Sequence, residues 1–543
     1  MVSEGRIVRK YFSCLMLEYN YNSCDVMIFP EEAMAENDKD RSTERLAGYA
    51  ALIERYGLDV TPNWHKSVVT TSGIHRIDSS EGIVEEVYPP KYWPGDTPGD
   101  HLEFALKYDG TNLAILASLF QIVAERDVLE YVSSRPTGKY ARRLWYLYEF
   151  LTGKKLPLDD VKRGNYIDLL EPAEYYTVNP ARQIRRQRIN DNLLGNPRFC
   201  PTVRRTETLR DFETANLPGR CREVVSGYSA ELLRRALGYL YTRETKSSFE
   251  IEHIKPTSTR TERFATLLQL AEQEDFCEKL RLIELQNRIV DQRFRDSDYR
   301  TSQNYVGETI AWQTERIHFA CPKPEDLADL MEGLIAAHKR MDESDVSPVV
   351  HAAVIAYGFV FLHPFEDGNG RIHRFLIHNI LARSCFTPKG VMFPISASML
   401  KNRADYDASL EAFSRQIMAL VEYSLDEEGC MTVHNDTAML YRYIDMTAQA
   451  EALFKFIDQT IEIELTRELA FLANYDEAKK AIQEIADMPD RKIDLFIRFC
   501  LQNNGRLSAQ KRASHFDFLS AEEIESMERV VIKAYEKRTL NDD

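Results

Sequence analysis

The residues between His363 and Arg374 are of the types that carry out phosphoryl chemistry. They read His-Pro-Phe-Glu-Asp-Gly-Asn-Gly-Arg-Ile-His-Arg, so a base, a carboxylate, a glycine turn and two arginines fall within 12 residues. A turn built from Gly368, Asn369 and Gly370 can direct successive backbone N–H groups at one point. It opens onto a predicted helix, whose N-terminus favours anions. The spacing therefore predicts a polyphosphate-binding site.

The charged residues of this segment have separate roles at such a site. Arg371 and Arg374 share a face of a helix and can reach different phosphates of one ligand. Asp367 could hold Mg²⁺ against phosphate oxygens, since this ion usually takes one or two carboxylates plus phosphate and water. His363 is placed to accept a proton from an attacking hydroxyl. The alternative is a helix-capping loop with an Asp–Arg ion pair, which does not explain why all these groups coincide.

The segment resembles the signature of the Fic family, His-Pro-Phe-x-(Asp or Glu)-Gly-Asn-Gly-Arg-x-x-Arg, at every specified position. The resemblance implies a protein adenylyltransferase (AMPylator), which transfers AMP from ATP to a Ser, Thr or Tyr hydroxyl of a target protein or of itself. Under this resemblance His363 is the general base and Asp367 the Mg²⁺ ligand. Phe365 anchors the loop, Arg371 neutralises the inner phosphates and Arg374 neutralises the γ-phosphate.

A second motif, Ser-Ser-Phe-Glu-Ile-Glu-His, contains Ser248 and Glu252. It resembles the regulatory signature of the same family, a Ser or Thr followed four residues later by Glu and then usually Gly or Asn; His253 departs from it. A helix is predicted over about 229–255, and on it Ser248 and Glu252 share a face. By resemblance Glu252 pairs with Arg374 and inhibits the enzyme. The alternative is a solvated helix glutamate.

The expected fold is mainly α: a Fic-type helical core with a short β-hairpin flap, flanked by an N-terminal α+β region and a C-terminal helical region. We divide the chain into an N-terminal region of unknown role (1–225), a catalytic core (226–425) and a C-terminal helical domain (426–543). The active-site loop (363–374) lies in the core.

Three further features of the core follow from the sequence. Alternating residues over about 298–324, including Trp312, predict a hairpin, which in Fic proteins is the flap that pairs with the modified segment; the alternative is an ordinary surface hairpin. Val349 to Leu362 is apolar nearly all round and predicts a buried helix. Fic proteins often place a Tyr against adenine, so Tyr406 is a candidate nucleotide contact, although a helical Tyr is more often simple packing.

Composition limits the other function classes. The formal net charge of −16 disfavours a general nucleic-acid or anionic-membrane binder. The 9 cysteines are scattered without Cys-x-x-Cys spacing, which favours reduced thiols. The apolar stretch after Arg6, Arg9 and Lys10 is broken by polar residues and makes a poor signal peptide. We expect a cytoplasmic protein without a membrane segment.

The flanking regions carry weaker signals. The section Arg182 to Glu223 is rich in arginine, which predicts either a basic recognition surface or, more often in an acidic protein, an ion-paired face. Long helical segments are expected at His434 to Ala473 and Tyr475 to Ala486. A helix, turn and helix are expected between Asp490 and Lys537.

Three alternatives to AMP transfer stay open at this point. One is removal of AMP from a modified protein, and another is transfer of a different nucleotide or phosphate group. The third, from another class, is a nucleic-acid-binding regulator that uses the C-terminal helices. The sequence does not identify the target protein, and it leaves the oligomeric state open, a homo-oligomer included.

Overall fold

A computed structural model describes residues 44–73, 75–80, 82–311, 314–388 and 391–536. The basic N-terminal stretch considered as a signal peptide, Cys14, Cys24, Trp312 and Lys537 lie outside these ranges.

The N-terminal region is a small mixed sheet with helices, as expected for an α+β region. The sheet order is β1-β2-β4-β3, and only β2 and β4 run parallel. Its strands are β1 (Glu44–Ala47), β2 (His65–Thr70), β3 (Arg76–Ser80) and β4 (Ile83–Tyr88). The helices are α1 (Gly48–Tyr56), α2 (Pro98–Phe104), α3 (Leu113–Ile122), α4 (Glu125–Ser134) and α5 (Lys139–Thr152). A hydrophobic core centred on Leu116, Leu144 and Trp145 joins these helices.

The arginine-rich section contributes two strands to a second sheet, which a strand from an earlier part of the chain completes, and two helices follow these strands along the chain. Many of its charges are used inside the fold. The elements are β5 (Ile167–Asp168), β6 (Arg182–Ile184), β7 (Ile189–Asp191), α6 (Glu207–Thr214) and α7 (Leu217–Ser226). Several of its arginines bind carboxylates or carbonyl oxygens of the chain: Arg186, Arg188, Arg198, Arg204, Arg205, Arg210 and Arg220. These contacts favour the ion-paired interpretation over a basic recognition surface.

The central region is a helical assembly with one hairpin. Its helices are α8 (Ala230–Glu250), α9 (Ser258–Leu270), α10 (Lys279–Ile289), α11 (Pro324–Asp342), α12 (Pro348–Leu362), α13 (Asn369–Arg383), α14 (Ile395–Lys401) and α15 (Arg403–Met418). The expected hairpin consists of β8 (Tyr305–Ala311) and β9 (Thr314–Ala320), which pair antiparallel. We call this hairpin the flap. The buried helix expected from Val349 is α12, and it contacts α11 and α13.

The C-terminal region differs in part from the expectation. A strand pair comes first, β10 (Tyr423–Leu425) and β11 (Met431–Val433), joined by a turn that ends at Gly429. The helices are α16 (Ala438–Arg442), α17 (Thr447–Gln459), α18 (Thr466–Ile485), α19 (Asp490–Leu501), α20 (Ala509–His515) and α21 (Ala521–Glu536). The prediction of one periodic segment from His434 to Ala473 was wrong in its first part, because a break separates α16 from α17. The predicted division between Ala473 and Tyr475 was also wrong, because α18 continues through both residues to Ile485. The two helices expected after Asp490 are present as α19 and α21, with the additional short helix α20 between them.

The hydrophobic cores show how these regions pack. One large core contains Tyr176, Leu209, Phe375 and Leu469, so residues before 226 and after 425 share it with the catalytic helices. The helices from α18 to α21 enclose a smaller core around Phe496. The proposed region boundaries stay predictions. Across the described residues, every helix is too short or too polar to cross a bilayer.

A buried pair of histidines links α12 to α11, and it leads to a prediction of how the stability of the fold depends on pH. The ring nitrogens of His338 and His351 are 3.0 Å apart, and the other nitrogen of His338 is 3.1 Å from Asp275 Oδ2. Burial and the neighbouring His338 lower the pKa of His351 to about 3. In the unfolded chain His351 has its ordinary pKa, so as pH falls the unfolded chain binds this proton before the folded chain does. The free energy of unfolding therefore decreases as pH falls from the ordinary pKa of His351 toward 3.

We therefore expect the protein to lose about 2 kcal/mol of unfolding free energy between about pH 6.5 and 4.5 through this group. His351→Gln should lose less over the same interval, because glutamine does not titrate. Urea unfolding at both pH values measures the difference, with the exposed His434→Gln as control. Equal losses in the parent and in His351→Gln would contradict the assignment.

Candidate active site

The loop between α12 and α13 is held in shape by its own side chains. His363, directly after α12, takes left-handed backbone angles (φ 50°, ψ 57°). Gly368 precedes α13 with φ 96°, a conformation that glycine adopts without strain. The side chain of Asn369 closes the loop, since it accepts from Phe365 N at 3.1 Å and donates to Phe365 O at 2.6 Å. Phe365 is fully buried, as an apolar anchor should be.

The two arginines of the motif lie on the first turns of α13 and are both buried. Arg371 Nη2 donates to Asp367 Oδ1 at 2.7 Å. Arg374 Nε donates to Ser248 Oγ at 2.9 Å, and its Nη2 donates to Ser248 O at 2.6 Å. The structure therefore brings the end of α8 directly onto the active-site loop, as the second motif predicted.

The carboxylate of Glu252 bridges both arginines. Glu252 Oε2 accepts from Arg371 Nε at 2.9 Å, and Oε1 accepts from Arg374 Nη2 at 3.0 Å. Arg374 was the expected partner, and Arg371 is an additional one. Burial by itself lowers the pKa of Arg371, but the charges of Glu252 and Asp367 outweigh burial and raise it. Such a buried, doubly paired carboxylate is a charged ligand rather than a solvated helix residue.

Glu252 also lies against the N-terminal turn of α13, where anions are favoured. A Cβ placed on Gly370 would overlap the Glu252 carboxylate, so only glycine permits this approach. The helix dipole and the orphan amides of the first turn add attraction for negative charge there. The carboxylate therefore occupies the position where the sequence predicts phosphate oxygens.

The backbone at the end of α8 explains how Glu252 reaches this position. The helix begins after Ser229, whose side chain caps it by accepting from Leu232 N at 3.2 Å, but the helix ends at Glu250 instead of about 255. Glu252 lies in the turn that follows, so the expectation that it shares a helix face with Ser248 was wrong. His253 has φ 55°, a left-handed angle that Gly and Asn adopt more readily. This accounts for the residue types usual at that position of the signature.

Side chains farther up α8 fix it to its neighbours. Glu244 is fully buried, and its carboxylate lies 2.8 Å from His378 Nε2 on α13 and accepts from Ser396 N in the first turn of α14 at 2.9 Å. On the opposite side, Arg243 pairs with Glu464 at 2.8 Å. The helix that carries Ser248 is therefore anchored both to the catalytic helices and to the C-terminal region.

Acidic residues surround the far side of the loop. Gln286 Nε2 donates to Asp296 Oδ2 at 3.1 Å and to Asp367 O at 3.3 Å, so it links the two. Burial, together with the charges of Glu366 and Asp367, raises the pKa of Asp296 to about 6. Asp367 is buried and its Oδ1 also accepts from Gly368 N at 2.6 Å. Asp367 thus presents its carboxylate beside the anion-binding turn.

Tyr406 lies on α15, next to Arg374. It is buried, its hydroxyl lies 3.4 Å from Arg374 Nη1, and its ring is near those of His373 and Phe456. Burial raises the pKa of the Tyr406 hydroxyl. These contacts connect Tyr406 to the predicted phosphate site through Arg374. The assignment of its ring to the adenine pocket stays a prediction.

Comparison with known proteins supports the family resemblance of the active-site loop. Residues 276–381 match the model of the Fic/DOC family. This segment is a Fic domain. It includes the loop from His363 to Arg374 and both arginines that bind Glu252. Ser248 and Glu252, however, lie outside the matched segment.

Proteins similar to the Fic domain carry adenylyltransferase names. "Protein adenylyltransferase fic-1" of Caenorhabditis briggsae is 38% identical over 113 residues, which is 20% of this chain and 18% of that protein. "Protein adenylyltransferase Fic" of Drosophila virilis is 32% identical over 109 residues, 20% of each. The chain thus spans about a fifth of the length of the curated relatives it matches. A Fic family protein from Desulfovibrio desulfuricans has 17% identity and a TM-score of 0.33, covering 49% of this chain and 78% of that one.

Several residues at the Fic domain site carried no sequence signal. Gln286, Asp296 and Arg300 come before β8 of the flap but contact the loop more than 60 residues later. A lone Gln or Asp on a polar stretch has no periodicity that could reveal such a contact. The one available hint was that Arg300 falls within the stretch of about 298–324 that was predicted as the flap.

Proposed function

We propose that this chain is a protein adenylyltransferase that transfers AMP from ATP to a Ser, Thr or Tyr hydroxyl of a protein, and that Glu252 restrains it. The observation that carries the proposal is the contact of one carboxylate with Arg371, Arg374 and the turn at Gly370. A carboxylate at this point is the closest stand-in that a protein side chain offers for a phosphate. The adenylyltransferase names of the similar proteins support the same reaction.

In the proposed reaction His363 takes the proton of the target hydroxyl. The hydroxyl oxygen then forms a bond to the α-phosphorus of ATP, and the bond from this phosphorus to the bridging oxygen of the β-phosphate breaks. AMP stays on the protein and pyrophosphate leaves. Arg371, Arg374 and the amides of the turn stabilise the negative charge that develops on the leaving group, which is where fixed donors accelerate such a step most.

Asp367 would hold Mg²⁺ in this proposal. A single buried carboxylate beside a phosphate cradle fits the donor set that Mg²⁺ takes when a nucleotide supplies the other oxygens. When bound, the ion would neutralise charge on the phosphates. Asp367 accepts a hydrogen bond from Arg371, so the carboxylate is already oriented toward the phosphate-binding face of α13.

The position of Glu252 suggests how restraint would work. Arg374 cannot give its full set of donors both to Glu252 with Ser248 and to a γ-phosphate. ATP would then be held away from the geometry of attack. Ser248 contributes by fixing the Arg374 guanidinium at the end of α8.

Two labelled nucleotides test the chemistry. We expect the Glu252→Gly variant with Mg²⁺ to transfer label to protein from ATP labelled at the α-phosphate and not from ATP labelled at the γ-phosphate, since pyrophosphate carries the latter away. Gel autoradiography and intact-protein mass spectrometry measure both. Label from the γ-position only would indicate a kinase instead. Loss of AMP from a pre-modified protein, without addition, would indicate the reverse activity.

A further inference from the structure

Arg300 is a buried arginine between the flap and the active-site loop. It lies five residues before β8, and it is 4% exposed. Its backbone N donates to Pro364 O at 2.8 Å, and its Nε donates to His363 O at 2.8 Å. One residue thus binds the two successive carbonyl groups that follow α12.

The remaining donors of Arg300 hold the two ends of the flap. Nη1 donates to Ser302 O, before β8, and Nη2 donates to Pro322 O, after β9, both at 2.7 Å. Ser302 adds a second link, because its hydroxyl donates to Glu366 in the loop. The guanidinium group is therefore a common anchor for the flap ends and for the loop that carries His363.

The bonding of this guanidinium is unusual for a buried charge. Its hydrogen bonds go to carbonyl oxygens, and burial lowers the pKa of Arg300. Carbonyl oxygens orient the guanidinium group without placing a negative charge near the site. A carboxylate partner would place one there, where it would oppose the binding of a negatively charged ligand. A planar fork with fixed donor directions also holds three separate backbone segments at set angles, which the single ammonium group of lysine cannot do.

His363 needs such an external anchor. A left-handed conformation is unfavourable for a residue with a side chain, so it persists only where the surroundings enforce it. Because α12 ends at Leu362, the carbonyl groups of His363 and Pro364 leave the helix and require donors in a buried place. Arg300 supplies both donors.

We propose that Arg300 is a positioning residue that fixes the imidazole of His363 relative to the flap, so that the proton acceptor and the protein segment to be modified keep one alignment. This inference rests on the proposed adenylyltransferase function. It predicts a defect in the chemical step rather than in nucleotide binding, because Arg300 binds carbonyl groups of the loop and of the flap ends, whereas Arg371 and Arg374 are the residues proposed to bind ATP.

The test is Arg300→Lys in the Glu252→Gly background, with Arg316→Lys as the matched control. Arg316 lies on β9, is half exposed and pairs with Glu308 on the same hairpin. We expect Arg300→Lys to lower kcat for AMP transfer about 100-fold, the cost of a displaced catalytic group, with the Kd for ATP from calorimetry within about threefold. Arg316→Lys should change neither. A kcat within about twofold of the parent, or a parallel loss of ATP affinity, would overturn the proposal.

A second readout does not depend on transfer activity. The ring resonance of His363, identified among the 12 histidines by its loss in His363→Ala, is followed with ¹³C-histidine labelling. We expect it to shift in Arg300→Lys and to stay in place in Arg316→Lys. An unmoved resonance would overturn the proposal even if the parent transferred no AMP, so the failure of the adenylyltransferase function is told apart from that of the positioning role. Arg300→Ala is included only if its melting temperature stays near the parent's.

Discussion

His363→Ala is expected to lower AMP transfer by about 10²- to 10⁴-fold in the Glu252→Gly background, the usual contribution of a general base. In the proposed reaction the imidazole is the proton acceptor, and alanine removes it without changing the groups proposed to bind phosphate. The affinity for ATP should therefore stay within a few-fold of the parent. Initial rates of α-phosphate label transfer and calorimetry with ATP and Mg²⁺ measure the two quantities.

The control for this variant is His434→Ala, an exposed histidine directly after β11 whose ring pairs with Ser424 on β10. It should transfer AMP as the parent does. If His363→Ala kept the parent's rate, His363 would not be the base. If His363→Ala lost ATP affinity together with the rate, the substitution would have disturbed the loop itself. His363→Gln would then be the variant that tests His363 as the base.

The sequence predicted those parts of the site that are close together along the chain. His363, Asp367, the glycine turn and both arginines fall within one loop and one helix turn, so their spacing was enough. Helix α12 was equally readable, because its apolar residues cover the whole circumference and require burial. The flap was visible as alternation between two short strands.

Contacts between distant segments were beyond the sequence. Glu252 was expected to reach Arg374, yet its contact with Arg371 depends on α8 ending at Glu250 and on the left-handed turn at His253. Neither feature follows from helix periodicity, since the sequence predicted a helix that continues to about 255. The parallel pairing of β2 with β4 was likewise hidden, because pairing of non-neighbouring strands is set by tertiary packing rather than by local pattern.

The anchoring of α8 would strengthen the proposed restraint by Glu252. Glu244 binds α13 and the start of α14, while Arg243 binds the π-helical turn before α18. Helix α8 is thus held by two sets of neighbours. Because the helix is fixed, Ser248 and Glu252 lose little conformational freedom when they contact the arginines. A pre-positioned carboxylate competes with phosphate at a higher effective concentration than a flexible one.

Glu252→Gly is therefore expected to raise the rate of AMP transfer by about 10- to 100-fold, the range that a coupling free energy of a few kcal/mol gives. Removing the carboxylate frees both guanidinium groups for ATP, and glycine adds no side chain above Gly370. Glu250→Gly is the matched control, since it places glycine at an exposed acidic position two residues earlier and keeps the carboxylate of Glu252 that binds both arginines. Equal rates in the two variants would show that loosening the end of α8, and not the loss of the Glu252 charge, is responsible. A rate for Glu252→Gly no higher than that of the unaltered protein would remove the restraint from the proposal, while the transfer reaction itself would still be judged by His363→Ala.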